Sequence, residues 1–581
     1  MAHNQGNTHM RKAQQNFLNY LSSMEKLVQT AQSAGLALGD EPAQIENMKA
    51  AVKSKELLIP VVGAFSAGKS SLLNAIADTA VLPVAITPET AIATEIRYDS
   101  QERIEAVFED GRTQVFPVSE LPILQAAATK PEVVRLYINC PKVQALEPLT
   151  LVDMPGFNSP LDTHNKAIAH YIGQGAHYLF VVSVEEGALQ THALRRIEEV
   201  VSLGRKFSVC VNKADLRSPS DVNDICSYIR TQLEDEGLPA NVCAVSEHDT
   251  SSVQALLKAI DPDALLVEVI QPALRQSHLA LEGVVNTMFE GLKRDKAAND
   301  RTVGEMEDAL RELEQEHKQQ LASLRGSNLQ DALDGVMLGV HNQLARAVDD
   351  MARAALRGRD ELSRIVSDEV RTSLVVGLKN ATDGISAQLV TDFCNRATGT
   401  LKPEIHVAPD WTDTLLQRLQ TELLPTLMSM IGSNSGETGK VGSTAANVVT
   451  TGLLTLGKLA PHPGLKLALI ALTQTVLPTV LNSLLGSLSE GQKLENVKEV
   501  IRTEVMPSIE RSLRPEVSTF LIQAQEQALN LVANSFEQQI TAQKNTLAEM
   551  CQKASTSNRD EFIAAAQEAQ SKLKALGKAY L

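Results

Sequence analysis

The sequence predicts an α/β domain built on a doubly wound, mostly parallel sheet, joined to a long all-α helical bundle or stalk. Residues 57–260 alternate short apolar runs with helical patterns, which is typical of such a sheet. From about residue 264 to 425 the pattern is helical and prolines are few. Aromatic residues make up only 3% of the chain, and Ala, Leu and Val dominate its apolar content, which suits helices packed on one another.

Composition and charge argue against several classes of protein. The chain has 581 residues, which is enough for about four domains. Its net charge of -16 and its pI of about 5.3 argue against nucleic acid as the main partner. The six cysteines are scattered and include no C-x-x-C pair, which predicts a reducing compartment and no zinc site. Residues 1–16 are polar and predict no secretory signal, so we expect a cytoplasmic protein.

Eight short apolar runs are the candidate strands of the sheet. They are Leu57–Val62, Ala91–Tyr98, Arg103–Phe108, Val134–Ile138, Leu149–Val152, Tyr178–Ser183, Phe207–Val211 and Asn241–Ala244. Distinct polar or glycine-rich motifs follow the first, fifth and seventh of these runs. We expect the motifs to meet, because ligands of such sheets bind at the carboxyl ends of the strands.

The first motif is a phosphate-binding loop (P-loop). Its residues are Gly63, Ala64, Phe65, Ser66, Ala67, Gly68, Lys69 and Ser70, which fit the pattern G-x-x-x-x-G-K-[ST], and Ser71 begins the predicted helix. Glycines let the backbone curl so that its N–H groups and the helix N-terminus face a phosphate. We expect all nine residues to contact a nucleotide, with Lys69 at the β- and γ-phosphates and Ser70 on Mg²⁺.

The second and third motifs indicate that the bound nucleotide is GTP or GDP. Asp153-Met154-Pro155-Gly156 is a D-x-x-G arrangement, in which Asp153 would hold Mg²⁺ through water and the Gly156 N–H would meet the γ-phosphate. Asn212-Lys213-Ala214-Asp215 is N-K-x-D. The Asp215 carboxylate can accept two hydrogen bonds from the guanine edge, and adenine offers no such pair of donors. Lys213 would lie along the base, and Asn212 would join this loop to the P-loop. The three motifs together predict a P-loop GTPase domain.

Two further segments are weaker candidates for the same site. A switch threonine that closes over Mg²⁺ and the γ-phosphate is expected between the first two motifs, and Thr87 and Thr90 both fit. Spacing does not decide between them, although Thr87 is slightly preferred as the metal ligand. Ser246 follows the last predicted strand and is a candidate for packing on the guanine.

The remainder of the chain is predicted to be helical and divides around one apolar segment. We place N-terminal neck helices at 1–55, the GTPase domain at 56–262, a neck and stalk at 263–431, an apolar tip at 432–489 and returning helices at 490–581. Pro507 and Pro515 are expected to break or kink the returning helices. The C-terminal helix, 562–581, is expected to pack with residues 10–34 and close a bundle from both ends of the chain; a fraying N-terminal helix is the alternative.

The apolar segment leaves three interpretations open. Residues 467–488 carry no charge, and their number alone permits a membrane span. Polar residues interrupt the segment, among them Gln474, Pro478 and Asn482, which makes a clean transmembrane helix the weakest of the three. A buried helical hairpin and a membrane-inserting tip remain, and the second would bring residues 445–488 into contact with lipid.

These motifs and this order of domains resemble the bacterial dynamin-like proteins of the dynamin superfamily. The resemblance rests on Gly63–Ser71, Leu82–Ala91, Asp153–Gly156 and Asn212–Asp215, and it is only architectural over the stalk. It implies that two GTPase domains pair across the nucleotide to drive GTP hydrolysis, coupled to stalk movement on a membrane. It also implies that Ser66 helps to order the transition state, with Lys69 and Thr87 or Thr90 completing the catalytic set.

One position departs from the family pattern. Eukaryotic dynamins carry Gln beside the serine to orient the attacking water, and this chain has Phe65 there. We therefore expect a GTPase that is slow without self-association or a partner protein. The resemblance implies that it acts in membrane binding, remodelling or vesicle-linked secretion, as a peripheral membrane protein. The alternatives are a GTP-gated membrane scaffold with negligible hydrolysis, and a Ras-like regulatory GTPase with a helical effector domain.

Overall fold

The computed structural model gives the architecture of most of the chain. It describes residues 11–38, 41–83, 92–108, 112–126, 131, 133–156, 171, 175–323, 327–400, 413, 415–417, 419, 490–553 and 558–581. The predicted apolar tip, 432–489, and both threonines of the switch segment, Thr87 and Thr90, lie outside these residues. No helix within the described ranges has the length and apolar character needed to cross a membrane.

Nine strands form one sheet. They are β1 (Leu57–Gly63), β2 (Ala93–Tyr98), β3 (Arg103–Val107), β4 (Thr113–Phe116), β5 (Val133–Ile138), β6 (Leu149–Asp153), β7 (His177–Ser183), β8 (Lys206–Asn212) and β9 (Val242–Ala244). Their order across the sheet is β4-β3-β5-β2-β6-β1-β7-β8-β9. The predicted fold class is confirmed, since the strands from β6 through β1, β7 and β8 to β9 are all parallel.

The strands follow the apolar runs because both faces of the sheet centre are covered. Every residue of β6 and β7 is buried, as expected for parallel strands between two helical layers. Strand β4 is the exception, and the sequence analysis does not predict it. Its residues 113–115 are exposed on an edge of the sheet, so no buried apolar run marks it.

The helices separate into those around the sheet and those of the helical region. The first group is α3 (Lys69–Ala77), α4 (Leu121–Ala126), α5 (Pro141–Gln144), α6 (Thr191–Ser202), α7 (Pro219–Asp235) and α8 (Ser251–Ala259). The second is α1 (Lys12–Ser33), α2 (Glu41–Lys53), α9 (Pro262–Lys293), α10 (Lys296–Ser323), α11 (Ser327–Arg346), α12 (Val348–Arg357), α13 (Arg359–Thr400), α14 (Glu490–Val500), α15 (Met506–Lys553) and α16 (Arg559–Tyr580).

The two ends of the chain pack together, as the sequence analysis predicts. Helix α1 contacts both α9 and α16. At the centre of this bundle Tyr20 of α1 is fully buried, its ring centroid 5.9 Å from that of Tyr580. The Tyr20 hydroxyl lies 3.1 Å from Nδ1 of His278 on α9. Helix α9 begins directly after the sheet domain, so this bundle is attached to that domain through one continuous helix.

Of the predicted break or kink at Pro515, the break is wrong. Helix α15 continues through Pro515 to Lys553. The irregularity lies earlier, where Ile501–Val505 forms a π-helical turn just before Pro507. Pro507 follows this turn inside a helical run that continues from Glu490 to Lys553, and its missing N–H removes one internal hydrogen bond there.

Buried charges join the sheet domain to the helical region where α6 packs on α13. Glu199 of α6 is fully buried, and its Oε1 accepts hydrogen bonds from Arg196 at 2.5 Å and from Thr372 of α13 at 2.9 Å. Arg196 also reaches Asp368 of α13 at 2.8 Å. A second pair across the same interface joins Arg195 to Glu369. These contacts form what we call the α6–α13 interface.

Candidate nucleotide-binding site

The loop between β1 and α3 is shaped by two glycines. A Cβ on Gly63 would lie 2.1 Å from the carbonyl oxygen of Val181 on β7, so only glycine fits at this point of the sheet. Gly68 has φ +82°, in the left-handed region, and a Cβ there would lie 2.6 Å from Nδ2 of Asn212. Between them Phe65–Ala67 forms one 3-10 turn, and α3 begins at Lys69. The loop thus places the α3 N-terminus at the carboxyl end of β1, where free N–H groups favour an anion.

Lys69 is buried inside this loop. Its Nζ donates to the carbonyl oxygens of Gly63 at 3.1 Å and Ala64 at 3.0 Å. Burial lowers the pKa of Lys69 to about 8, and the nearby Asp153 carboxylate acts in the opposite direction. Two neutral carbonyls compensate a buried ammonium only partly, so a phosphate oxygen at this place would be a stronger partner.

Ser70 and Asp153 meet in a way that fits a hydrated Mg²⁺ ion. The Ser70 hydroxyl donates to Oδ2 of Asp153 at 2.7 Å, although the two residues are 83 positions apart in the chain. The other carboxylate oxygen, Oδ1, is buried and has no hydrogen-bond partner within the described part of the structure. Burial raises the pKa of Asp153, against the effects of Lys69 and Ser70. An unpartnered buried carboxylate oxygen beside a hydroxyl is a donor set that suits a hard divalent cation and its waters.

Asn212 joins the third motif to the first. Its Nδ2 donates to the carbonyl oxygens of Ala67 at 2.9 Å and Gly68 at 3.2 Å, and its side chain is buried. Strand β8 carries Asn212 at its end, and β7 separates β8 from β1, which carries the P-loop. The contact therefore fixes the predicted base-binding loop against the predicted phosphate-binding loop.

Lys213 has a partner that the sequence analysis does not identify. Its Nζ lies 2.8 Å from Oε2 of Glu185, in the 3-10 turn that follows β7. Ser183 Oγ donates to the same carboxylate oxygen at 3.2 Å and accepts from the Glu185 N–H. In the sequence, the one sign of this contact is an acidic pair shortly after a buried strand. Sequence alone does not show that this strand neighbours β8. The ion pair holds Lys213 at the edge of the base-binding loop.

The two remaining base-side residues lie on adjacent loops. Asp215 is exposed in the 3-10 turn Ala214–Leu216, so its carboxylate is available to a ligand. Ser246 is buried after β9, where its Oγ accepts from the Asp249 N–H at 3.1 Å. The Ala214 N–H donates to the Val245 carbonyl at 3.1 Å, which links the two loops through the backbone.

The remaining predicted residues are described by their position and burial alone. Ser66 is exposed in the P-loop, Ser71 is half-buried in the first turn of α3, and Gly156 is buried beyond the end of β6. Thr87 and Thr90 lie outside the described residues, so the choice of switch threonine stays a prediction. The proposed part of Ser66 in catalysis also stays a prediction.

In comparison with known proteins, the segment that holds the three motifs matches one family model. Residues 59–215 match the family model described as the Dynamin family. The chain is 27% identical over 179 residues to Dynamin-like protein 2 of Campylobacter jejuni, covering 30% of this chain and 29% of that one. It is 23% identical over 398 residues to the bacterial dynamin-like protein of Nostoc punctiforme, covering 61% and 56%. An uncharacterized Caldicellulosiruptor protein is 24% identical over 200 residues, covering 34% and 50%.

Among solved structures, the chain is similar to one described as an oligomerised bacterial dynamin pair that senses and tethers membranes at long range. The identity is 13%, the TM-score is 0.31, and the match covers 95% of each chain. The three relatives by sequence are matched over 29%, 50% and 56% of their own lengths, so the chain spans about half of them or less.

Proposed function

Residues 59–215 carry a domain of the dynamin family, and from this premise we propose that the chain is a Mg²⁺-dependent GTPase. The observation that carries the proposal is the bond of the Asn212 side chain to the carbonyls of Ala67 and Gly68. Through it, a phosphate loop and a guanine-type base loop are held at one edge of the sheet as a single site.

In this proposal each residue acts by position and charge. Phosphoryl transfer requires mainly alignment and neutralisation of the charge that develops on the phosphate oxygens. Lys69 leaves its two loop carbonyls to bind phosphate oxygens. Ser70 and Asp153 would hold Mg²⁺, which when bound would neutralise phosphate charge. The α3 N-terminus contributes N–H donors on the same side.

The guanine preference is assigned to the base-side loops. Asp215 accepts hydrogen bonds from the base, while Lys213, held by Glu185, lies along its plane. A hydrogen bond to a charged group contributes about 1.5–3 kcal/mol. Two such bonds to Asp215 are sufficient to separate GTP from ATP by several orders of magnitude in affinity.

The first test of the site is the substitution Lys69→Ala. It removes the buried ammonium, and we expect binding of a fluorescent GDP analogue to fall below detection at micromolar protein. Lys206→Ala is the matched control, because that lysine is 63% exposed and lies at the opposite end of β8 from Asn212. Unchanged affinity in Lys69→Ala would reject the site.

The test of nucleotide choice is Asp215→Asn. The amide offers one acceptor and one donor in place of two acceptors, so it opposes one of the two guanine donors. We expect affinity for GTP to drop by about tenfold or more while affinity for ATP stays near its original low value. A GTP:ATP ratio equal to that of the wild type would remove Asp215 from the base site.

Self-association and membrane contact belong to the same proposal. The domain's family supports pairing of two GTPase domains, and the uncharged run 467–488 supports lipid contact through residues 445–488. The protein would then act in membrane binding, tethering or remodelling, as a cytoplasmic protein peripherally attached to lipid. Pelleting with anionic liposomes, for the full chain and for a variant with that run replaced by a Gly/Ser linker, tests the assignment.

One sequence observation favours a second candidate, a GTP-gated scaffold with negligible hydrolysis. Phe65 occupies the position at which eukaryotic dynamins carry a glutamine, and its side chain cannot orient a water molecule by hydrogen bonding. GTP binding without turnover at high protein concentration and with lipid would favour this candidate over the GTPase.

A further inference from the structure

Two cysteines face each other beneath the base-side loops. Cys210 of β8 and Cys243 of β9 are paired in register in the sheet, and their sulfur atoms are 3.6 Å apart. Neighbouring strands lie about 4.8 Å apart, within the Cα separation of about 4.4–6.8 Å that a disulfide spans. Bond formation would therefore require the sulfurs to approach by about 1.5 Å without a change of strand pairing.

The two thiols differ in access and in charge environment. Cys210 is fully buried, whereas Cys243 is half-buried at the last strand of the sheet. Arg230 of α7 donates to the Val242 carbonyl at 3.0 Å, which places its guanidinium beside Cys243. A hydrogen bond from the Cys210 thiol lowers the pKa of Cys243, burial opposes this, and the charge of Arg230 adds to the lowering. That hydrogen bond and burial raise the pKa of Cys210.

We propose that Cys210 and Cys243 form a reversible disulfide when the protein meets a peroxide, and that this bond lowers affinity for guanine nucleotide. The Cys243 thiolate attacks one peroxide oxygen, giving a sulfenic acid and, after protonation, water. The Cys210 sulfur then attacks the sulfenic sulfur, and its proton leaves with the hydroxide as a second water. Two thiols lose two electrons, and one peroxide is reduced to two waters. A reachable thiol of lowered pKa beside a second thiol is the arrangement of a redox sensor.

The position of the pair links it to the nucleotide site, and this part rests on the proposed function. Cys210 precedes Asn212 by two residues, and Asn212 holds the P-loop. On the neighbouring strand, Val245 follows Cys243 by two residues, donates to Val211 at 2.8 Å and accepts from Ala214 at 3.1 Å. A disulfide most often spans a Cα separation of about 5.5–6 Å, which is wider than the spacing of about 4.8 Å between neighbouring strands. The bond therefore spreads β8 and β9 locally, without changing their register, and displaces both base-side loops. Loss of one charge-assisted hydrogen bond there lowers affinity about tenfold.

The experiment treats the full chain with hydrogen peroxide and analyses unreduced tryptic peptides by mass spectrometry. Cleavage places Cys210 in peptide 207–213 and Cys243 in peptide 231–258, while the buried Cys226 lies in peptide 218–230. We expect a 207–213/231–258 crosslink that disappears with dithiothreitol. Cys243→Ser should lack it and keep its GDP affinity under peroxide. Cys140→Ser, a half-buried thiol that donates to the Ala77 carbonyl, is the matched control and should behave as wild type.

The crosslink and the GDP affinity test separate parts of the proposal. Absence of the crosslink, or a crosslink through Cys226 in its place, overturns the disulfide whether or not the protein binds GTP. A complete crosslink with unchanged GDP affinity overturns the coupling to the site. If the reduced protein shows no GDP affinity at all, the proposed function fails while the disulfide still stands on its mass spectrum.

Discussion

Replacing Glu199 by alanine is predicted to weaken the α6–α13 interface. Glu199 is fully buried, and its carboxylate compensates Arg196 at 2.5 Å and Arg371 at 3.8 Å while accepting from Thr372. Burial lowers the pKa of Arg371 to about 10, which indicates how poorly solvated this guanidinium is. Removing the carboxylate leaves two buried arginines with less negative charge around them.

The size of the stability loss depends on the negative charge that remains near Arg196 after the substitution. Deleting one member of a buried ion pair costs about 3–5 kcal/mol. Asp368 still lies 2.8 Å from Arg196, so we expect the lower end, about 3 kcal/mol. For a domain the size of the sheet domain this corresponds to a fall of about 6–12 °C in melting temperature.

The assay is thermal unfolding of the full chain without nucleotide. Glu199→Gln keeps an acceptor for Thr372 and loses only the charge, so we expect an intermediate fall. Glu234→Ala, an exposed glutamate on α7, is the control and should change stability by no more than about 0.5 kcal/mol. A melting temperature for Glu199→Ala equal to that of Glu234→Ala would refute the claim that buried charge stabilises this interface.

Three predictions concern the nucleotide site. Gly68→Ala should lower the free energy of unfolding by about 1–2 kcal/mol, because alanine is strained in this left-handed backbone, and it should also loosen Asn212. Gly187 has φ +68° and open space around it, so Gly187→Ala is the control that shows the backbone effect alone. Thermal unfolding measures both variants. Ser70→Ala should raise the Mg²⁺ concentration for half-maximal GTP turnover by at least about tenfold, and an unchanged Mg²⁺ titration would count against the metal assignment. The pKa of Lys69 is about 8 in the free protein, and bound phosphate favours the charged form of Lys69. GDP affinity should therefore be constant below about pH 8 and fall above it, by up to about tenfold per pH unit. A GDP affinity that does not change from about pH 7 to 9 contradicts this.

The sheet and its motifs were predictable because local sequence carries their physical cause. Strands β1, β6, β7 and β8 are buried on both faces, so each is a continuous apolar run. The glycine positions and Lys69 are required by the geometry of a phosphate loop, whatever the rest of the chain does. The packing of α16 on α1 was also predicted, because helical sequence lies at both ends of the chain, outside the sheet domain.

Features that depend on which elements become neighbours were not predictable. Glu185 meets Lys213 only because β7 lies beside β8, and Cys210 meets Cys243 only through the register of β8 with β9. The burial of the charged residues of α6 depends on the packing of α13 against them, which no local sequence pattern shows. Strand β4 is held by pairing with β3 at an exposed edge, where no apolar pattern is needed.

The central claim is tested most directly by GTP turnover per protein molecule, measured against protein concentration with and without anionic liposomes. The account predicts Mg²⁺-dependent turnover that rises with concentration or lipid and is absent in Lys69→Ala. Tight GTP binding with flat, near-zero turnover under every condition would contradict a self-activating GTPase. Turnover that persists undiminished in Lys69→Ala would contradict the site itself.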